Sequence, residues 1–284
     1  MALHLISNDD LRSECRRRIE ACELWLRRLV HVELSKHGQD YVANGMLSGQ
    51  HLFNGHARKL AATRMAQQSK SRAVDTLLLD DLATVICKAD VYKTHFCDAF
   101  NPHFTNSANL RTILARLIPI RNALSHANPI SLREAEQALC YCADVMDAIS
   151  EHFRIQGMER DFDAPTFTRY TDSLGNSVQL DVGTTNPFYV FASRLRCGET
   201  LRAEVEIDAH FEPSTYEIHW SWASISSRNA SDRGTGHSFV LRLEPRHVGM
   251  SFQISVAVKS DKEWHRQGSV DQIIFIEYCV LPPL

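Results

Sequence analysis

No apolar run in these 284 residues reaches the length of a membrane-spanning helix. The opening stretch, Met1-Ala-Leu-His-Leu-Ile-Ser-Asn-Asp-Asp10, lacks the basic and long apolar regions of a secretory leader. Without an export signal, the eight cysteines are expected to be reduced thiols in a cytoplasmic protein. The glycosylation acceptor at Asn229-Ala-Ser231 is discounted on the same ground. Zinc-spaced cysteine pairs are missing too: Cys140-Tyr-Cys142 stands alone, and core packing is the expected role. His51 and His56 have no further ligand pair at helical spacing, so they are read as surface histidines. No metal and no cofactor is expected. Nor is there an excess of one charge. A formal net charge of −3 rules out a general polyanion binder.

With 44% hydrophobic and 23% charged residues, the chain can bury a core, and nothing in it suggests disorder. Its charge is uneven. Residues 1–160 carry 20 Lys+Arg against 18 Asp+Glu, and residues 161–284 carry 11 against 16. The arginine-rich helices therefore fall in the first half.

Ser7 to Asp10 predicts a capping box that opens a helix running to about Lys36. Leu11, Cys15, Cys22, Trp25, Leu29 and Val32 form its apolar stripe, widened by Ile19 and Leu26. Arg16-Arg17-Arg18 and Arg27-Arg28 lie on and beside the stripe. Paired with Glu14, Glu20 and Glu23 they form a solvated face; left free they form a strip that tracks a nucleic-acid backbone. Residues 38–56 read as a loop, and a helix is expected over residues 57–68. A further helical stretch begins at Leu77 and ends around Phe96 to Phe100. The next helix covers residues 107–126. Ser131 with Glu134 caps the last one, which reaches about Phe153.

From about Arg160 the texture changes. Residues 161–165 read as a linker, and period-two alternation follows. Residues 201–207, 216–222, 239–243 and 252–258 each place apolar side chains on one face. Residues 272–280 form a continuous apolar run fit for a buried strand. Asp232-Arg-Gly234 and Glu212-Pro213 are read as turns, and Trp220 as a core residue. The expected fold class is multidomain, α plus all-β: a helical bundle over 1–160 and an antiparallel, immunoglobulin-like sandwich over 161–284. No Ser-His-Asp, paired-carboxylate or phosphate-loop signature is found in residues 165–284, so the sandwich is read as a sensor or docking module.

One block breaks the helical pattern. Leu110, Ile113, Leu114, Leu117 and Ile118 recur at helical spacing, and the next seam position is Arg121. A guanidinium stands where the pattern asks for an apolar side chain. Desolvating it requires partners, either within the fold or in a cleft that holds an anion. An internal partner would be Asp80, Asp81 or another bundle carboxylate. His126 follows five residues later, near a helix end where the carbonyls favour a cation. On an unbroken helix the two side chains stand about 140° apart, so they share no face unless the turn distorts or two copies meet. Pro119 is an expected source of distortion.

Residues 77–150 resemble the HEPN superfamily, helical bundles named for higher-eukaryote and prokaryote nucleotide binding. The resemblance is carried by Leu77-Leu-Leu-Asp-Asp-Leu-Ala-Thr-Val-Ile86, Phe96, Phe100, Ile120-Arg-Asn-Ala-Leu-Ser-His126 and Pro129-Ile-Ser-Leu-Arg-Glu134. Arg121, Asn122 and His126 match the family's Arg-x(4–6)-His motif with a polar residue after the arginine. The likeness spans about the first half of the chain, and residues 38–70 fit it poorly. It implies a metal-independent endoribonuclease acting as a homodimer on RNA, with two motifs in one cleft. A toxin–antitoxin or phage-defence setting follows, with an antitoxin or defence partner protein. The implied catalytic residues are Arg121, Asn122 and His126; Arg16, Arg17, Arg27, Arg28 and Ser125 are candidate nucleic-acid contacts. The other reading is a non-catalytic dimer that binds RNA, nucleotide or a protein partner, with the sandwich for docking.

Overall fold

The computed structural model describes residues 7–68, 72–180, 187–224 and 232–284. The glycosylation acceptor at 229–231 and the first six residues lie outside them. The chain divides into two compact units, residues 1–157 and 158–284. No helix among the described residues is long and apolar enough to cross a membrane.

The first unit is helical: α1 (Asn8–Leu34), α2 (Tyr41–Asn44), α3 (Gly55–Gln68), α4 (Leu79–Ile86), α5 (Ala89–Val91), α6 (Cys97–Phe100), α7 (Ser107–Ser125) and α8 (Leu132–Ile155). The Ser7 hydroxyl accepts from the Asp10 amide at 3.2 Å, as its spacing predicts. Ser131 and Glu134 form the reciprocal box that starts α8, at 2.7 and 3.2 Å. The stripe of α1 is buried at Leu11, Cys15, Ile19, Cys22, Trp25, Leu26 and Leu29. It lies against the buried face of α8, which carries Ala135, Cys142, Met146, Ile149 and Phe153. Cys15 reaches the Ala135 carbonyl and His152 reaches Glu33, at offsets of 120 and 119 residues. A constant offset means that α1 and α8 run in the same direction. By contrast, α7 runs opposite to α1, since Arg16 meets Leu124 while Glu23 meets Arg121.

Two stretches depart from expectation. Residues 38–56 are more than loop: α2 is followed by a hairpin of β1 (Met46–Leu47) and β2 (Gln50–His51). The single helix expected from Leu77 to Phe100 is broken after Ile86 and again by a π turn at Tyr92–Phe96. That turn sends Tyr92, His95 and Phe96 inward together, a register that regular 3.6-residue periodicity does not encode.

The second unit opens with a short helix, α9 (Glu159–Phe162), whose end overlaps the linker expected over 161–165. One sheet has the strand order β5 (Phe188–Arg196), β11 (Gln272–Leu281), β10 (Gly249–Ser260), β7 (Tyr216–Ser224), β8 (Asp232–Thr235). The other runs β4 (Ser177–Gln179), β3 (Phe167–Asp172), β6 (Thr200–Ile207), β9 (Ser238–Arg242). Inward residues of both sheets, from Phe167, Val205 and Leu241 to Trp220, Ile254 and Ile276, form one core. That makes the unit a sandwich. Trp220 is central to it, with its ring 4.2 Å from Phe239 on the facing sheet. Pairing is antiparallel except at one edge, where β5 lies parallel to β11. Asp232-Arg-Gly234, expected to turn, is instead strand β8 paired with β7.

Candidate active site

The site is built where the last turns of α7 meet α1. Along α1, Arg16, Glu23 and Arg27 stand seven and four residues apart and so share one stripe. This polar stripe faces α7 beside the apolar one.

Glu23 is its centre. The side chain is 7% exposed, so its charge needs compensation. Two arginines supply it. Arg121 Nε donates to Glu23 Oε1 at 3.0 Å, and Arg27 Nη2 donates to Oε2 at 2.8 Å. Arg27 also spends its Nε on the Leu77 carbonyl at 2.8 Å. It is therefore a fastening between α1 and the start of α4. The triad carries one formal positive charge more than it neutralises.

Arg121 remains 23% exposed. Its Nη1 donates to Asn122 Oδ1 at 3.4 Å. The Nε edge is thus fixed on an internal carboxylate, while the Nη edge lies at the Asn122 side. The partner is Glu23, whereas Asp81 is engaged by Arg64 at 3.3 Å.

The carbonyls of residues 121–124, at the end of α7, are all engaged. Ser125 Oγ donates to the Arg121 carbonyl at 2.9 Å. The amides of His126 and Asn128 donate to the carbonyls of Asn122 and Ala123 at 3.1 and 2.8 Å. The Leu124 carbonyl takes Arg16 Nη2 at 2.6 Å and the Ala127 amide at 3.2 Å. These last two amide bonds are the 6→1 and 5→2 pair of a Schellman turn, which places Ala127 in the left-handed region at φ +56°. His126 is the cap residue, at φ −96° and ψ 14°, and is exposed. Helix α7 continues unbroken through Pro119.

The chain therefore brings Arg121 and Asn122 into contact and leaves His126 at the helix end, without a side-chain bond to either. Ser125 spends its hydroxyl within the helix. The arginines of α1 are largely compensated, as the reading of a paired, solvated face expects. Arg17 forms a two-bond pair with Glu14 at 2.8 and 2.9 Å, and Arg18 joins the same carboxylate at 3.0 Å. Arg28 is buried, with its guanidinium 4.9 Å from the Trp25 ring centre. Of the five candidate contacts, Arg16 and Ser125 are exposed, and Arg16 reaches the Leu124 carbonyl at the end of α7.

Sequence reasoning placed Glu23 among solvated acids and missed it as the partner of Arg121. A usable signal existed: Glu23 lies between Cys22 and Trp25, both stripe residues, so it sits at the edge of the buried face. Among the described residues no group of three or more His, Cys, Asp or Glu is arranged to hold a metal ion. Cys142 is buried and Cys140 exposed, so the two thiols do not converge. No protein-family model matches the sequence, and no curated protein matches it.

Proposed function

We propose that this chain is a metal-independent endoribonuclease of the HEPN type, a homodimer in which two Arg121–His126 motifs share one cleft. One observation carries the reading. An arginine at a helical seam is gripped by its Nε edge on a buried carboxylate of another helix, with Asn122 alongside and an exposed imidazole at the same helix end. That is a phosphate-binding group together with a group able to move a proton at neutral pH.

In the proposed reaction the ribose 2′-oxygen attacks the adjacent phosphorus and the P–O5′ bond breaks. The proton leaves O2′ and a proton is delivered to O5′, with His126 as general base or acid. Arg121 stabilises charge growing on the phosphorane oxygens. Asn122 orients the phosphate or the imidazole. The products are a 2′,3′-cyclic phosphate and a 5′-hydroxyl. In this reading the second unit is an immunoglobulin-like sensor or docking module, supported by the central Trp220 and by β6 pairing with β3 and β9 in the opposite sheet. The expected setting is cytoplasmic toxin–antitoxin or phage defence, with a partner protein that restrains the nuclease.

The test is incubation of the purified protein with end-labelled RNA in EDTA. Wild type is expected to cleave and leave cyclic phosphate ends, and His126→Ala to lose about 10²–10⁴-fold in rate. Equal rates for the two proteins would reject the proposal. A second reading is favoured by the Arg121–Glu23 pair itself, which a purely structural arginine would also form. On that reading the dimer binds RNA, nucleotide or a protein partner without cleaving, and His126→Ala leaves binding unchanged.

A further inference from the structure

We propose that Glu23 is the positioning residue of Arg121: by binding the Nε edge it fixes the guanidinium so that the Nη edge is presented to a phosphodiester. The proposal rests on the ribonuclease reading above and adds a residue that the Arg-x4-His motif does not contain.

An arginine can hold two partners at once. Its five N–H donors form a rigid fork with two usable edges. A phosphate takes one edge bidentately, and the long side chain has to be held for this to be productive. Holding it with the same edge would block the phosphate. Here the two tasks are divided, since Nε meets Glu23 Oε1 at 3.0 Å while Nη1 touches Asn122. Glu23 is itself immobilised. It is buried, sits mid-helix in α1, and accepts from Arg27 Nη2 on its second oxygen at 2.8 Å. Arg27 is in turn pinned to the Leu77 carbonyl. The chain of bonds Leu77–Arg27–Glu23–Arg121 joins three helical segments and ends on the proposed catalytic group.

Charge supports the same assignment. One carboxylate between two guanidiniums leaves one positive charge in a half-buried setting. A lone Arg–Glu pair would cancel and attract nothing. Arg27 offsets Glu23, so Arg121 keeps an effective charge for an anion. Arg27 is thereby reassigned from nucleic-acid contact to the support of Glu23.

The experiment is a double-mutant cycle on RNA cleavage in EDTA with Glu23→Gln, Arg121→Ala and the pair. It is accompanied by the Nε–H resonance of Arg121 in arginine-labelled protein. Displacing a positioned group by about an ångström costs about 100-fold, so Glu23→Gln is expected to lower kcat by 10- to 100-fold with little change in KM. In the Arg121→Ala background it should add almost nothing. The Arg121 Nε–H is expected to be slow to exchange in wild type and to lose that protection in Glu23→Gln. If the two substitutions multiply independently, or the resonance is unaffected, the positioning role is overturned while the nuclease reading stands. If wild type does not cleave RNA, the nuclease reading falls and the resonance alone decides on Glu23. Should Glu23→Gln fail to fold, Glu23→Asp keeps the charge and withdraws the carboxylate, and the same loss of kcat and exchange protection is expected.

Discussion

The imidazole of His95 shows how a single residue in the helical unit responds to pH. It is buried on the π turn, with its Nε2 3.1 Å from His37 Nε2. Burial, followed by the nearby Lys36 and His37 charges, pushes its pKa below the ordinary histidine value; Glu33 pulls weakly the other way. A depressed pKa means that the folded form keeps a neutral ring while the unfolded chain takes up a proton. The associated stability is present above the ordinary histidine pKa of about 6.5 and is lost as pH falls below it. Urea midpoints at pH 7.5 and 5.5 are therefore expected to fall towards acid, and His95→Gln should reduce that fall. An unchanged pH dependence in the variant would contradict this. The need for a partner at Arg121 was readable from its seam position alone. Its place beside the stripe marked Glu23 as a half-buried acid, but not as the partner of a residue 98 positions away.

At the level of elements, sequence signals worked where the determinants are local. The caps at Ser7 and Ser131 and the buried stripe of α1 follow from spacing and hydrogen-bond stereochemistry within a few residues. Strands β6, β7, β9 and β10 were legible because alternation marks a sheet with one buried face. Strands β5 and β8 were not. Edge strand β5 exposes Phe188 and Val190, which spoils alternation, and β8 carries the Asp-Arg-Gly signature of a turn. The end of α7 has its own test. Ala127 occupies φ +56°, a region that costs a residue with a Cβ about 1–2 kcal/mol. Ala127→Gly is expected to raise unfolding stability by about 1 kcal/mol, offset in part by the entropy of glycine. Denaturant midpoints read this; a loss of stability would show that the Schellman turn does not hold the chain there.

For the whole molecule, the two units differ in architecture and in charge. The helical unit holds the candidate site with its linked Arg27, Glu23 and Arg121, and the sandwich holds a core around Trp220. Its proposed role is recognition, and the chemistry is assigned to the bundle. That assignment depends on subunits meeting, because one chain leaves Arg121 and His126 without a shared bond. The most direct measurement is complementation between two impaired dimers. Arg121→Ala and His126→Ala chains carrying different tags are co-expressed, the mixed dimer is isolated, and its RNA cleavage in EDTA is compared with that of each parent. The account predicts that both parents are strongly slowed and that the mixed dimer regains cleavage with cyclic phosphate ends. A mixed dimer as slow as its parents would contradict it.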